Sequence, residues 1–259
     1  MATESICLKC GGTGFVIVEG VNVSGAKPCD CRSQGRAERV EDKAQIPHLY
    51  RNASFDNFNI PGPENPIARR DLTTVLIAVK GFVRAFPNPE RPGLLLIGES
   101  GTGKTHLAVA AFRLAMEAGK MGGLFCNYQT LLTNIVRGYD PNSHSSDREA
   151  YRSALDAGVL LIDDLGAHRT LDWVEDTVNS IITYRCDQKM PLIATTNMPD
   201  ADAGSSVAKK SEVLPNTIEY RRTLGEAIGN RARSRLFEMC TVVKMPLIED
   251  YRIQKGKKF

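Results

Sequence analysis

A glycine-rich segment of eight residues constrains this chain more than any other part of its sequence. It follows the pattern G-x-x-x-x-G-K-T, which is typical of loops that bind nucleotide phosphates. The segment consists of Gly98, Glu99, Ser100, Gly101, Thr102, Gly103, Lys104 and Thr105. An apolar run at 94–97 predicts a buried strand before it, and helical spacing over 105–116 predicts a helix after it. In that arrangement backbone N–H groups can point at phosphates, and the helix N-terminus favours their negative charge.

Within such a loop, the last two residues have separate chemical tasks. Lys104 is predicted to reach the β- and γ-phosphates, and the hydroxyl of Thr105 is predicted to hold Mg²⁺. A chance match to the pattern is expected in on the order of 1% of chains of this length. The strand and helix predicted on either side make chance a weaker explanation still, so we expect a nucleoside triphosphate as a ligand.

The length and composition allow one α/β domain and a small appendage. The chain has 259 residues, of which 42% are hydrophobic and 24% are charged, as in ordinary globular proteins. No apolar run approaches the roughly 18 residues of a membrane helix. The N-terminus carries cysteines and no apolar segment of signal-peptide type. These observations predict a cytoplasmic protein without a membrane partner.

Strands and helices alternate along most of the chain, which predicts a parallel sheet covered by helices on both faces. A small module and connector over 1–46 is predicted to precede the main domain over 47–259. Phe55 and Phe58 are expected to dock a segment rich in Pro, Asn and Gly onto that domain. Residues 198–217 are interpreted as a long, polar and mobile insertion. The predicted strands are 94–97, 122–127, 159–162, 192–195 and 241–245, and the predicted helices are 67–85, 105–116, 128–137, 147–157, 172–189 and 224–238.

Four of the seven cysteines lie in the first 31 residues, in two close pairs whose 18-residue spacer is typical of two-knuckle zinc sites. They are Cys7, Cys10, Cys29 and Cys31. Apolar segments at 15–18 and 21–23 predict a hairpin that brings the pairs together. A module of this size cannot build an adequate core, so we predict a closed structural Zn²⁺ site, with four free thiols as the alternative. His48 is interpreted as a surface residue rather than a ligand.

Polar side chains follow two of the predicted strands. Asp163 and Asp164 come directly after the strand at 159–162, at the edge where open α/β sheets bind ligands. Asp163 is predicted to hold Mg²⁺ through water, and Asp164 to polarise the attacking water. The alternative is that both acids are solvated and begin a loop. Asn197 ends the next strand and is a candidate to lie between the γ-phosphate and that water, with an ordinary turn as the alternative.

Basic residues cluster late in the chain. Arg231 and Arg235 are four residues apart, so they share one face of a predicted helix. This face is a candidate arginine finger, which would act on the γ-phosphate of a neighbouring chain. Lys and Arg outnumber Glu by seven to three over 209–235, and the segment 252–259 is basic. A face that contacts DNA and a merely solvated surface are both open explanations of this charge.

Together, these motifs resemble those of the AAA+ ATPases in the DnaC/DnaI helicase-loader and IstB transposition-helper group. The matching segments are GESGTGKTHLA, VLLIDDLG, DWVEDTVNSIITYR, PLIATTN, LGEAIGNRARSRLFEMC and EDYR, and they span roughly residues 47–259. The cysteine module looks like the zinc-binding leader of some DnaI-like loaders, which engages the replicative helicase. The resemblance implies an α/β AAA+ core with a five-stranded parallel sheet, no separate helical lid, and ATP hydrolysis.

The resemblance also implies roles for individual residues. Lys104 and Thr105 match the phosphate-loop lysine and the magnesium hydroxyl of the family. Asp163 and Asp164 match its Walker B acids, although relatives often have Glu at the second position. Asn197 matches the position called sensor 1.

Three arginines match family positions that complete the site. Arg235 matches the arginine finger, Arg231 matches the arginine one turn earlier, and Arg252 matches the sensor 2 arginine. ATP would therefore bind at an interface between two copies of the chain, and the protein would assemble into an ATP-bridged oligomer.

The function implied first is a loader that places a hexameric, DnaB-type replicative helicase on single-stranded DNA at the nucleoid. The alternative is a transposition helper, which acts on duplex DNA with a transposase. The cysteine module favours the loader, because it supplies a separate module for binding a partner. A DnaA-like initiator is disfavoured, because no helix-turn-helix domain that reads duplex DNA is recognised after Arg252.

Overall fold

The structure is a computed structural model that describes most of the chain as two compact units. The described residues are 7–19, 24–29, 31, 41–86, 89–138, 147–167, 172–210 and 218–256. One unit comprises Met1–Gln45 and the other comprises Ile46–Phe259. The first is called the cysteine unit below, and the second is called the core unit.

The cysteine unit is built on an antiparallel hairpin. Its strands are β1 (Phe15–Glu19) and β2 (Ser24–Pro28), and Phe15 pairs with Pro28. The backbone N–H of Cys29 continues the ladder by donating to the carbonyl oxygen of Gly14 at 2.8 Å. The hairpin is thus present, but its second strand begins at Ser24. The segment 21–23, where the sequence predicted that strand, lies outside the described residues, as does most of the connector after Cys31.

The core unit alternates strands and helices as the sequence predicted. A 3₁₀ turn over His48–Tyr50 comes first. The strands are β3 (Gly93–Ile97), β4 (Gly123–Asn127), β5 (Val159–Asp163), β6 (Leu192–Thr196), β7 (Ala208–Lys210), β8 (Ile218–Tyr220) and β9 (Cys240–Lys244). The helices are α1 (Pro66–Arg84), α2 (Lys104–Gly119), α3 (Tyr128–Gly138), α4 (Asp147–Asp156), α5 (Asp172–Asp187), α6 (Leu224–Ile228), α7 (Asn230–Met239) and α8 (Tyr251–Gly256).

Five strands form one parallel sheet in the order β4-β5-β6-β3-β9. Every residue of β3, β5 and β6 is buried, because helices cover both faces of the sheet. This burial explains why these strands are continuous apolar runs instead of alternating ones. The predicted fold class is confirmed. In the part of the chain that the structure describes, only the short helix α8 follows β9, and no separate helical lid is present.

Local sequence sets where the helices begin and break. Helix α1 starts with Pro66 after Asn65, whose side chain accepts the N–H of Ala68 at 3.2 Å. The single helix predicted over 224–238 is wrong, because Gly229 separates α6 from α7. Its φ of 80° is a value that glycine adopts without strain.

The insertion predicted over 198–217 contains regular structure. Strands β7 and β8 pair in antiparallel fashion, with Ala208 opposite Tyr220. The base of the insertion is fastened to α7, because Arg233 pairs with Asp200 and Asp202 at 2.5 Å each. The prediction of a mobile loop is therefore wrong for the described part of this segment. Ion pairs between residues far apart in sequence hold it in place.

A buried arginine joins three segments of the core unit. Arg185 in α5 has no exposed surface, and its guanidinium donates to the carbonyl oxygens of Ala154, Leu155 and Pro191 at 3.1, 3.0 and 2.6 Å. Burial lowers the pKa of Arg185 to about 10. The C-terminus of α4 and the start of β6 therefore share one cationic donor. None of the described helices is both long and apolar enough to cross a membrane.

Candidate functional site

The phosphate loop follows β3 and depends on its glycines. Gly101 and Gly103 have φ values of 72° and 89°, which side chains other than glycine adopt only with strain. A Cβ at Gly98 would lie 2.6 Å from the side chain of Met245, and one at Gly103 would lie 2.7 Å from the ring of Phe58. The glycines therefore serve both the curl of the loop and the close packing of the chain around it. The ring of Phe58 thus packs beside Gly103 and His106, so its segment lies against the phosphate loop and α2.

Lys104 begins helix α2 inside the loop. Its side chain is buried, and Nζ donates to the carbonyl oxygen of Glu99 at 2.8 Å. Burial lowers the pKa of Lys104, while the negative charges of Asp164, Asp163 and Glu99 oppose that shift. A buried ammonium at the start of a helix, turned back onto the loop, is well placed to contact an anion in the loop.

Asp163 at the end of β5 is the hub of a buried hydrogen-bond network. Its Oδ1 accepts the hydroxyls of Thr105 at 2.9 Å and of Thr195 at 2.6 Å. Burial raises the pKa of Asp163, the two hydroxyls oppose this rise, and the neighbouring charge of Asp164 adds to it. The network joins the phosphate loop, β5 and β6 at one edge of the sheet.

Thr105 and Asp163 together could hold a magnesium ion. Mg²⁺ prefers oxygen ligands and is commonly bound by one or two protein groups together with phosphate oxygens and water. The two oxygens are already in contact at the sheet edge, within the electrostatic reach of Lys104. The donor set therefore fits the ion that the sequence predicts.

Asp164 has an unusual backbone conformation. Its φ is 57°, in the left-handed region, and its N–H donates to the hydroxyl of Thr195 at 3.0 Å. Left-handed conformations at residues other than glycine are uncommon and recur at functional sites, where surrounding contacts hold them. Here Thr195 holds the turn, and Asp164 lies close enough to Lys104 to affect its pKa.

Asn197 follows β6, between the acids and the phosphate loop. Its side-chain oxygen Oδ1 is buried and meets no hydrogen-bond donor among the described residues. Buried polar atoms are nearly always paired, so an orphaned amide oxygen here suggests that a donor arrives with a ligand. The structure thus brings Lys104, Thr105, Asp163, Asp164 and Asn197 to one edge of the sheet.

The arginines of α7 lie in different surroundings. Arg231 is exposed, whereas Arg235 is partly exposed and pairs with Glu238 at 2.8 Å and Asp187 at 3.6 Å. The hydrogen bond and charge of Glu238, together with Asp187, raise the pKa of Arg235. These contacts are to acids of its own chain, on α5 and α7, and include no residue of the phosphate loop.

Arg252 lies in a segment that packs against the phosphate loop. The backbone N–H of Tyr251 donates to the carbonyl oxygen of Gly101 at 3.2 Å. A Cβ at Gly101 would collide with the carboxylate of Asp250. The Arg252 side chain is exposed, and its charge contributes to the lowered pKa of Lys104. The segment that carries Arg252 therefore lies beside the phosphate loop, and the sensor 2 role of Arg252 stays a prediction. The short helix α8 was not predicted from the sequence.

The four N-terminal cysteines form a separate cluster. Their sulfur atoms all lie within 4.8 Å of one another, with Cys7 and Cys29 3.9 Å apart and Cys10 and Cys31 3.4 Å apart. Zn–S bonds of about 2.3 Å in a tetrahedron place sulfur atoms about 3.8 Å apart. The cluster therefore fits a zinc ion, and His48 is not a member of it.

Two residues of the site were missed by sequence reasoning. Thr195 contacts both acids, and Arg221 at the end of β8 contacts the phosphate loop and Asn197. A hydroxyl at the end of a buried strand was a usable signal for Thr195. No local signal identifies Arg221, because its partner Glu99 is 122 residues away in sequence.

The sheet order, the phosphate loop after β3 and the acids after β5 define an ATP-binding protein of the AAA+ class. A profile of the family described as IstB-like ATP binding proteins matches residues 37–216, which is more than half of the chain. The chain belongs to that family, and within the AAA+ class it falls in the DnaC/IstB group.

Relatives agree with this assignment. The chain is 24% identical to the phage-like element PBSX protein XkdC of Bacillus subtilis, over 93% of this chain and 81% of that protein. It is 25% identical to the replicative helicase loader DnaC of Buchnera aphidicola, over 63% of each. The chain thus spans less than two thirds of that loader. A crystal structure of the DnaC helicase loader matches 77% of this chain and all of its own, with 27% identity and a TM-score of 0.59.

Proposed function

We propose that this protein uses ATP to load a hexameric replicative helicase onto single-stranded DNA, and that hydrolysis of ATP then releases it. The likeness to DnaC supports a loader, both in sequence and in a solved structure. The observation that carries the proposal is the combination of an AAA+ site with a separate cysteine unit, which offers a partner a surface of its own.

The surface of the cysteine unit supports a role in binding a protein. Leu8, Ile17 and Val18 are exposed there, although the unit is small. Ile17 shares one face of β1 with Phe15, which is also exposed, and neighbouring exposed apolar side chains are typical of protein-binding surfaces. We assign this surface to the helicase and the zinc ion to its support, since Zn²⁺ would fix the four cysteines and lend the unit folding energy.

At the ATP site, we assign Lys104 to the phosphates, Thr105 and Asp163 to magnesium, and Asp164 to the attacking water. The raised pKa of Asp163 fits a carboxylate that gains a cation in the working complex. Mg²⁺ would neutralise phosphate charge. The side-chain oxygen of Asn197, which meets no donor among the described residues, supports its assignment to the water between the γ-phosphate and Asp164.

We assign a role in binding the charged phosphates to three arginines, Arg252, Arg235 and Arg231. Arg252 would act within its own chain, because its segment packs on the phosphate loop. Arg235 would act on the ATP of a neighbouring chain, after leaving Glu238 and Asp187, with Arg231 beside it on the same helix face. Binding of the γ-phosphate would hold the oligomer together, and hydrolysis would relax it.

Binding to purified helicase tests the loader. In the 259-residue chain, Ile17→Glu places a charge on a side chain that is 74% exposed, and it should lose helicase binding but keep zinc and ATP hydrolysis. Ile67→Glu is the matched control, because Ile67 is 67% exposed in the core unit. Chromatography of each variant with a DnaB-type helicase and ATP measures the complex. A wild-type protein that binds a transposase on duplex DNA, and no helicase, would establish the transposition helper instead.

Mixing two inactive variants tests whether the site needs two chains. Lys104→Ala should lose ATP binding, and Arg235→Ala should bind ATP without hydrolysing it. In a mixture, the Lys104→Ala chain still offers Arg235 to the intact phosphate loop of the other chain. Hydrolysis should therefore return to a substantial fraction of the wild-type rate. If the mixture stays as inactive as its components, Arg235 does not act across an interface.

A further inference from the structure

Arg221, which follows β8, connects the hairpin of β7 and β8 to the nucleotide site through three hydrogen bonds. Its Nη1 donates to Oε1 of Glu99, and its Nη2 donates to Oε2 of the same carboxylate at 3.4 Å. Nη2 also donates to the carbonyl oxygen of Asn197 at 3.3 Å. The guanidinium therefore spans the gap between the phosphate loop and the end of β6, on the side of the loop that faces Asn197.

The backbone around Arg221 is held firmly in place. Its N–H donates to the carbonyl oxygen of Val207 at 2.8 Å, which continues the β7–β8 pairing. Two residues later, Thr223 and Glu226 form a reciprocal cap at the start of α6. The ion pairs of Arg233 fasten the other end of the insertion to α7. Arg221 is thus presented to the loop from a fixed base.

The partner of Arg221 resembles a phosphate in geometry and charge. Guanidinium binds carboxylates and phosphates through the same pair of parallel N–H donors. Glu99 is the second residue of the phosphate loop, and its charge is felt by Lys104. Lys104 could hold a phosphate that extends towards Asn197. The positive charge of Arg221 would then attract this phosphate in competition with the Glu99 carboxylate.

The pair is poorly suited to a purely structural role. The side chains of Arg221 and Glu99 are 30% and 44% exposed, and ion pairs at such exposure contribute little to stability. An exposed pair can also exchange partners at low cost. We therefore explain the position of the Arg221–Glu99 pair beside the phosphate loop by the ligand that binds there.

We propose that Arg221 binds the γ-phosphate of ATP in its own chain, exchanging the carboxylate of Glu99 for it. Glu99 then competes with the nucleotide, so that only a triphosphate, with its additional charge and reach, displaces it. This role rests on nucleotide binding at the phosphate loop and is independent of the helicase. It makes Arg221, which follows β8, the residue that distinguishes ATP from ADP.

The two partners should therefore have opposite effects on nucleotide affinity. Arg221→Ala should weaken binding of a non-hydrolysable ATP analogue with Mg²⁺ by about tenfold or more, because a charged hydrogen-bonding group is lost. Binding of ADP should change much less. Glu99→Gln should strengthen binding of the analogue several-fold, because the competing charge is removed. Titration calorimetry with each nucleotide measures these constants.

The matched control is Arg222→Ala. Arg222 carries the same charge one residue further on, but it donates to the carbonyl oxygens of Glu226 and Ala227. Its loss should leave the ratio of ATP to ADP affinity unchanged. Equal weakening of both nucleotides by Arg221→Ala, or weaker analogue binding by Glu99→Gln, overturns the exchange. A wild-type protein that binds neither nucleotide would overturn the phosphate-loop site itself, and this role with it.

Discussion

The two units are held together by different physical means. The core unit has an apolar interior, in which Leu95, Leu161 and Ile193 have no exposed surface. In the described part of the cysteine unit, Ile17 and Val18 are exposed, and four sulfur atoms lie within 4.8 Å of one another. One unit gains stability from buried hydrocarbon, and the other gathers its chain around potential metal ligands. Treatments that weaken one unit should therefore spare the other.

Removal of metal should show the largest difference in behaviour between the two units. A strong chelator is expected to unfold the cysteine unit, because apparent zinc-binding energies of about 10 kcal/mol far exceed what a small hairpin supplies. The thermal unfolding of the core unit should not change. Amide NMR spectra of the cysteine unit, recorded beside calorimetric melting of the whole chain, measure both effects.

Two cysteine variants control that experiment. Cys7→Ser should lose zinc and resemble the chelated protein before any chelator is added. Cys186→Ser changes a partly buried cysteine of the core unit and should keep one zinc per chain. A metal-free cysteine unit with the dispersed spectrum of the native protein would contradict the difference between the units.

Within the core unit, the largest effect is expected at Arg185. Arg185→Ala leaves the carbonyl oxygens of Ala154, Leu155 and Pro191 without this donor, so we expect a loss of about 3 kcal/mol or more in unfolding free energy. Arg137→Ala removes an exposed arginine and should cost less than about 0.5 kcal/mol. Denaturant unfolding measures both values, and equal costs would show that burial of Arg185 is not decisive.

A smaller effect is expected at Thr195, where the chemistry of the site should respond as well as the stability. The hydroxyl of Thr195 lowers the pKa of Asp163, so Thr195→Val should raise that pKa further. Asp163 then takes up a proton at higher pH. Because Mg²⁺ needs the ionised carboxylate, the loss of Mg²⁺-dependent ATP binding on acidification, called the acid limb, should move to higher pH. At neutral pH the affinity should fall by about 1 kcal/mol.

Thr196→Val is the control for this pH dependence. Thr196 is equally buried in β6, but its hydroxyl donates to the carbonyl oxygen of Leu165 at 2.7 Å. Its substitution should lower stability and leave the acid limb in place. If Thr195→Val and Thr196→Val move the acid limb to the same extent, the hydroxyl of Thr195 has no specific effect on the pKa of Asp163.

Sequence reasoning succeeded where burial on both faces leaves a continuous pattern. The run at 159–162 became β5, and the glycine pattern located the turn between β3 and α2. It failed at Gly229 and in the insertion, where one backbone angle and a few ion pairs decide the structure. Arg221 was out of reach for the same reason, since contacts between residues far apart in sequence leave no local pattern.

The packing of late residues against the phosphate loop has a consequence for synthesis of the chain. Ile97 accepts the N–H of Met245, and Gly101 accepts that of Tyr251, each about 150 residues further along. At roughly 5 to 20 residues per second, the ribosome completes that distance in roughly 8 to 30 s. During this time the nascent chain displays the loop without its supports. Each new chain should therefore bind nucleotide only after the ribosome has added Met245 and Tyr251.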